Sequence, residues 1–271
     1  MIGNYILKDL IGSGNYGRVY HCIHSITKNN YALKIAIDKD DGKTIQHETK
    51  MLKYLSEIEN ISKIVHFGLY KNHQYVVMNL HGINLYEYIL TKDCSLIEKV
   101  NICIDLLAVV KKVHQKGIVH RDLKPENFLM SIDEKNVILI DFGMAKTYLD
   151  RRGFHKQEKT TTALVGSLRY ASPNSHLLKE IYRKDEIISL VYVYYFIFNQ
   201  KVPWENISGE FKKKSETILN IKENFYKENQ YLEGKNKYLS DMLIYLHSLN
   251  YDANPNSYLM EIYINNILET T

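Results

Sequence analysis

The chain has 271 residues, 45% of them hydrophobic and 24% charged, a composition that argues against disorder and supports a buried core in one large domain or two lobes. Its 35 cationic and 31 acidic side chains leave a net charge of +4, too mild to call for nucleic acid, and none is expected as a partner. Three cysteines, Cys22, Cys94 and Cys103, are odd in number and form no CxxC pair. This argues against a disulfide framework or a zinc site and suits reduced thiols in an intracellular protein of the cytoplasm or nucleus.

The start of the chain has no basic region followed by an apolar stretch, so it does not read as a signal peptide. Residues 5–11, 18–24 and 31–37 are short, β-branched or aromatic runs separated by glycine or polar turns, and are predicted strands. A helical pattern over 43–58 follows, with Met51, Leu52 and Leu55 on its apolar face, and two further strands near 63–67 and 74–78 complete a five-stranded sheet. Beyond Gly82 the pattern turns helical. Ser95-Leu96-Ile97-Glu98 is a capping box, Val100, Ile104, Leu107 and Val110 carry one helix face, and Gly117 ends the run. Later helices are predicted around 183–199, 211–224 and 236–249, with the polar stretch 222–237 read as a surface connection. Residues 187–198 are nearly all apolar but too few to span a bilayer, so they are expected to form a buried core helix, with no membrane anchor. The expected fold is α+β: a small antiparallel β lobe with one helix (1–79), a hinge (79–82) and a larger, mainly helical lobe (83–271).

Three groups of residues carry chemistry. Gly12-Ser13-Gly14-Asn15-Tyr16-Gly17-Arg18-Val19 fits a glycine-rich phosphate loop, in which backbone amides can approach phosphate oxygens. A Rossmann loop would open a helix, whereas Val19 begins a strand-like run; a Walker loop would need Lys and Ser/Thr after its last glycine. Lys34, in Tyr31-Ala32-Leu33-Lys34-Ile35, sits among apolar neighbours and calls for anionic partners, with Glu48 in the next helix as the candidate. His120-Arg121-Asp122-Leu123-Lys124-Pro125-Glu126-Asn127, followed by Asp141-Phe142-Gly143, supplies a base, a cation and two metal-capable oxygen donors. That inventory suits moving a phosphoryl group from a magnesium-bound nucleotide to a hydroxyl.

In order and spacing these motifs resemble the eukaryotic protein kinases over essentially the whole chain. The resemblance implies ATP and Mg²⁺ as cofactors. It casts Lys34 and Glu48 as the phosphate-holding pair, Asp122 as the base toward the attacking hydroxyl, Lys124 as a countercharge at the γ-phosphate, and Asn127 and Asp141 as magnesium ligands. It places ATP against Ile11, Gly12, Ser13, Gly14, Asn15, Tyr16, Gly17, Val19, Ala32, Lys34, Met78, Leu80, His81 and Leu129. Lys124 points to serine/threonine acceptors. Asn127-Phe128-Leu129-Met130, Gly166-Ser167-Leu168-Arg169-Tyr170-Ala171-Ser172 and Asn174-Ser175-His176-Leu177 resemble the casein kinase 1 family. Departures from that pattern are Val191 in place of glycine, Pro173 in place of isoleucine and Asn79 in place of a hinge glutamate.

That resemblance implies a constitutively active, monomeric enzyme acting on protein substrates with acidic or phosphorylated flanks. The chain ends soon after its last predicted helix, so the regulatory tail common in the family is expected to be missing. Independently, residues 144–171 hold six cationic side chains against two acidic ones, Asp150 and Glu158, a field that favours acidic partners. Arg169 is the best candidate for an anion site, with Lys214 beside it in the assignment. The competing reading, a pseudokinase-type scaffold, would lack one of Lys34, Asp122, Asn127 or Asp141, and all four are present.

Overall fold

The computed structural model describes residues 1–14, 17–38, 41–228 and 234–270. In chain order the first elements are β1 (Tyr5–Gly14), β2 (Gly17–His24), β3 (Asn30–Ile35), α1 (Asp41–Tyr54), β4 (Ile64–Tyr70) and β5 (His73–Asn79). There follow α2 (Leu85–Thr91), α3 (Leu96–Gln115), β6 (Ile118–Val119), β7 (Phe128–Met130), β8 (Val137–Leu139) and β9 (Lys146–Thr147). The chain then runs through α4 (Pro173–His176), α5 (Arg183–Asn199), α6 (Phe211–Glu228), α7 (Lys235–Ser248) and α8 (Ser257–Asn266). Two compact units result: residues 1–83 with 128–145, and residues 84–127 with 146–271.

The first unit is built on a five-stranded antiparallel sheet in the order β1-β2-β3-β5-β4. Residues directly opposite in such a sheet share a face, as do residues two apart in one strand. Val19 lies opposite Lys34, and Ala32 opposite Met78, so Val19, Ala32, Lys34 and Met78 all project from one face. Ile2, Tyr5, Cys22, Leu33, Tyr75 and Val77 form a buried cluster in this unit. Leu33 and Val77 alternate with the first set and therefore serve the opposite face. Gly17 opens β2 where a Cβ would come within 2.8 Å of the Ile35 carbonyl oxygen, a contact no side chain tolerates. The β7–β8 pair joins this unit through Leu139, whose N–H donates to the Asn60 carbonyl at 2.9 Å.

The second unit is mainly helical. Ser95 and Glu98 form the reciprocal capping box at the start of α3, which satisfies amides that have no partner within the helix. The buried set of α3 includes Ile102, Cys103, Leu106 and Val109 besides Val100, Leu107 and Val110, so the helix is enclosed on more than the single face its sequence pattern suggests. In α5 every residue from Asp185 to Phe198 is buried. Val191 lies fully within this run, and the helix packs on α3 and α7. Pro173 takes the first helical turn of α4 behind a Ser172 cap, a position where the missing proline N–H costs nothing. Among the described residues no helix is long and apolar enough to cross a membrane, and Cys22, Cys94 and Cys103 are free and buried.

One expectation is corrected. The stretch 222–237 is not simply a surface connection: α6 continues to Glu228 and α7 begins at Lys235. Ile218 and Lys222 are separated by one helical turn and are both buried, at 1% and 0% exposure. The polar composition of 222–228 conceals an inward stripe of α6.

Two histidines of this unit make its stability pH-dependent. Burial lowers the His176 pKa to about 3. Burial, helped by Lys184 and Lys227, lowers that of His247 to about 4. In the unfolded chain both rings titrate near ~6.5, so below that pH the unfolded state binds protons that the folded state refuses. Stability is therefore fully present above pH ~6.5 and is lost as pH falls toward the folded values. Urea unfolding at pH 7.5 and 5.0 should show the loss, on the order of 1 kcal/mol per pH unit for each ring. His176→Asn should flatten the slope, and an unchanged slope would contradict the assignment.

Candidate active site

In the first unit the structure brings Lys34, Glu48 and Asp141 together. Strand β3 delivers Lys34 to the face described above, and α1 places Glu48 on its buried side. Lys34 Nζ donates to Glu48 Oε2 at 2.8 Å and to Asp141 Oδ1 at 2.9 Å. Lys34 and Glu48 are 8% and 1% exposed, so each charge requires an opposite charge beside it. Burial works against the Lys34 charge, but Glu48 and then Asp141 outweigh it and raise its pKa. Asp141 has a left-handed backbone, φ 62°, an uncommon conformation for a non-glycine residue that stores strain of roughly 1–3 kcal/mol. Ala145 is tied to α1 by a hydrogen bond that its carbonyl accepts from His47 Nε2 at 2.7 Å.

Of the residues assigned to ATP by resemblance, those that the structure describes fall in this same unit. Gly12, Ser13 and Gly14 end β1; Gly12 opposes Val19, Ser13 opposes Arg18 and Gly14 opposes Gly17 in a closing hairpin. Asn15 and Tyr16 lie outside the described residues. Ile11 is exposed, while Ala32 and Met78 are buried at 8% each. Leu80 and His81 line a depression with Asn30, Asn79, Ile132 and Asp133. Burial lowers the His81 pKa, and its Nε2 lies 3.2 Å from Ser62 Oγ. Leu129 is half-buried on β7, opposite Ile138.

In the second unit the structure brings together Asp122, Lys124, Asn127 and a residue that sequence reasoning left without a role, Ser167. Lys124 Nζ donates to Asp122 Oδ2 at 2.8 Å and to Ser167 Oγ at 3.3 Å. The Ser167 N–H and Oγ–H both donate to Asp122 Oδ1 at 2.9 Å. Asn127 Nδ2 donates to the Asp122 carbonyl at 2.8 Å and lies 3.3 Å from Oδ2. Both Asp122 oxygens are thus held by donors, which fixes the carboxylate in direction. Gly166 precedes Ser167 at φ +88°, and a Cβ there would come within 2.7 Å of the Arg121 carbonyl oxygen. Only glycine permits this approach of the two segments.

Three further residues at or near these groups, Glu180, Glu205 and Lys222, were not singled out from the sequence. Arg121, at φ 71°, gives its N–H to Glu186 Oε1 and its guanidinium Nη1 to Glu180 Oε1 at 2.9 Å. Lys146 Nζ donates to the other Glu180 oxygen. Burial opposes the Glu180 charge, but Lys146 and Arg121 hold its pKa below the ordinary value. Arg169 Nη2 pairs with Glu205 Oε1 at 3.0 Å, whereas Lys214 lies half-buried on the first turn of α6. Lys222 is buried behind the 168–171 turn. The signal for Lys222 was its helical spacing from Ile218. Glu180 and Glu205 carry no local pattern, because their partners are distant in sequence.

These donors suit the cofactor set of a phosphoryl-transfer enzyme. With its amide nitrogen bound to Asp122, Asn127 offers a carbonyl oxygen, and Asp141 is a partly exposed carboxylate. Both are hard oxygen donors, the type magnesium takes. The protein kinase domain model matches residues 5–257, and the chain belongs to the protein kinase domain family. Kinases of this family phosphorylate proteins and generally use ATP and Mg²⁺.

The Lys34–Glu48 pair can be tested by stability. Glu48→Gln keeps the shape and removes one of two charges on Lys34. We expect a loss of about 3 kcal/mol in urea unfolding, the lower end for a broken buried pair, because Asp141 still neutralises the lysine. An unchanged midpoint would show that the pair does not tie α1 to the sheet.

Proposed function

We propose that the chain is a serine/threonine protein kinase of casein kinase 1 type, which moves the γ-phosphate of Mg-ATP to Ser/Thr hydroxyls in acidic or phosphorylated protein segments. Asp122, held by Ser167 and Lys124, is the observation that carries this reading. In it, Asp122 orients the attacking hydroxyl and accepts its proton, and Lys124 offsets charge on the transferred group. Lys34, steadied by Glu48, holds the nucleotide phosphates. Asn127 and Asp141 would hold the magnesium ion, which supplies charge neutralisation at the phosphates when bound. Ile11, the 12–17 loop, Val19, Ala32, Met78, Leu80, His81 and Leu129 would receive the nucleotide. Positioning and preorganised charge carry most of the rate gain in such a reaction. The corresponding lobes are residues 1–79 and 83–271 with a hinge at 79–82, and the proposed setting is an intracellular monomer.

Constitutive activity is part of the proposal. In many kinases a phosphate on the activation segment pairs with the arginine before the catalytic aspartate. Here the Glu180 carboxylate already engages Arg121 and Lys146, a permanent anion in the chain itself. Phosphatase-treated protein should keep full activity, and the Thr160→Ala, Thr161→Ala, Thr162→Ala triple variant should stay within about 2-fold, whereas Glu180→Gln should lose at least ~10-fold. Activity that vanishes on phosphatase treatment would contradict the built-in anion.

Substrate preference has its own test. Transfer from Mg-ATP to acidic peptides, primed and unprimed, is expected from the wild type and not from Asp141→Asn. Since Glu205 competes for Arg169, Glu205→Gln should raise the preference for primed peptides by about 5-fold, worth roughly 1 kcal/mol. Arg169→Glu should remove that preference. Absence of transfer to any peptide with nucleotide still bound would favour a scaffold, and equal effects on both peptides would exclude Arg169 as the anion site.

A further inference from the structure

Lys222, on the inward stripe of α6, is 0% exposed. Its Nζ lies 2.9 Å from the Leu168 carbonyl oxygen, 2.7 Å from that of Ala171 and 3.2 Å from His176 Nε2. The same atom sits 5.0 Å and 5.1 Å from the ring centres of Tyr192 and Trp204. These partners are carbonyls, an imidazole and aromatic faces, not a carboxylate. Burying an amine so deeply is unfavourable, and an apolar side chain of similar length would fill the space at less cost. Packing alone therefore leaves the amine unexplained.

The valences match. Burial holds the Lys222 pKa well below the ordinary lysine value. A neutral amine has two N–H donors and one lone pair. The donors serve the two carbonyls, and the lone pair accepts from His176 Nε2–H. His176 Nδ1 then accepts from the Ser215 hydroxyl at 2.8 Å, a tautomer assigned from this network.

The turn so held reaches the catalytic base in one step. Trp204 Nε1 donates to the Arg169 carbonyl at 2.6 Å, so the carbonyls of Leu168, Arg169 and Ala171 are all secured by Lys222 and Trp204. The Tyr170 and Ala171 amides close the turn on the Ser167 carbonyl at 2.9 Å and 2.8 Å. Ser167 in turn gives two hydrogen bonds to Asp122.

We propose that Lys222 is a positioning residue for phosphoryl transfer, whose Nζ locks the 168–171 turn so that Ser167 aims Asp122 and the Arg169 side chain keeps its place. The inference rests on the assignment of Asp122 as base and Arg169 as substrate contact. It adds a residue remote from the reacting atoms that acts through backbone carbonyls.

The test uses the full chain with Lys222→Met, which keeps length and removes the donors, and Lys222→Gln, which restores an amide donor. Three quantities are measured: affinity for a fluorescent ATP analogue, hydrogen exchange at the Ser167 amide, and kcat and KM for an acidic peptide. For Lys222→Met we expect nucleotide affinity within about 2-fold, faster Ser167 exchange and a kcat at least ~10-fold lower, the scale of loss for a misplaced catalytic group, with partial recovery in Lys222→Gln. Wild-type kcat, KM and exchange in Lys222→Met would overturn the proposal. So would a parallel loss of nucleotide affinity and kcat that Lys222→Gln does not relieve, which would make the lysine a residue of general folding. If Lys222→Met does not fold, the Lys222→Gln kinetics and the Nζ signal of the wild type in ¹⁵N-lysine NMR decide: a Nζ exchanging freely with water overturns the clamp. Asp122→Asn run in parallel separates the two levels. Undiminished transfer there would refute the base assignment, whereas an inactive Asp122→Asn beside a fully active Lys222→Met would refute the clamp alone.

Discussion

A cation taken out of water must be met by partners wherever it points, and this constraint organises both units of the protein. Three inward-facing basic side chains answer it in three ways, Lys222 as a neutral amine. Lys34 is neutralised by two carboxylates, Glu48 and Asp141. Arg121 shares one carboxylate, Glu180, with Lys146. Lys222 has carbonyls and an imidazole instead. In each case partners come from segments far apart in the chain, so satisfying the basic group also fixes where those segments lie.

Two of these residues also bear backbone strain. Arg121 and Asp141 both adopt positive φ, and each is held by a buried partner: Glu186 on the Arg121 N–H, Lys34 on the Asp141 carboxylate. A left-handed backbone at a non-glycine residue persists only where its surroundings over-determine it. The strained positions flank Asp122 in sequence on one side and begin the Asp141-Phe142-Gly143 motif on the other. Strain, buried charge and proposed chemistry therefore coincide, which is where a chain is expected to depart from local preference.

Glutamates do the least visible work. Glu48 lies in an amphipathic helix that the sequence signals over 43–58 and that spans Asp41–Tyr54. Glu186 sits at the N-terminus of α5, where the helix dipole favours a negative charge, and burial there is offset by hydrogen bonds from His114 and from the Arg121 N–H. Glu180 and Glu205 lie in loops with no periodicity, yet one engages the arginine beside Asp122 and the other the arginine of the proposed anion site.

From the sequence alone came the five strands, the main helices, the capping box of α3 and the catalytic motifs, because these depend on periodicity, turn residues and short fixed spacings. Helix extent was less legible: polar composition from 222 onward suggested a connection, while the helix in fact continues to Glu228 with Lys222 turned inward. Apart from the Lys34–Glu48 pair, which the sequence named, only the tertiary structure decided which partner each basic group meets. The Lys34–Asp141, Arg121–Glu180 and Lys222–Leu168 contacts join residues separated by 107, 59 and 54 positions. No local pattern encodes such a pairing, because it is set by how the elements of each unit pack and by the cost of leaving any one of those polar groups unmet.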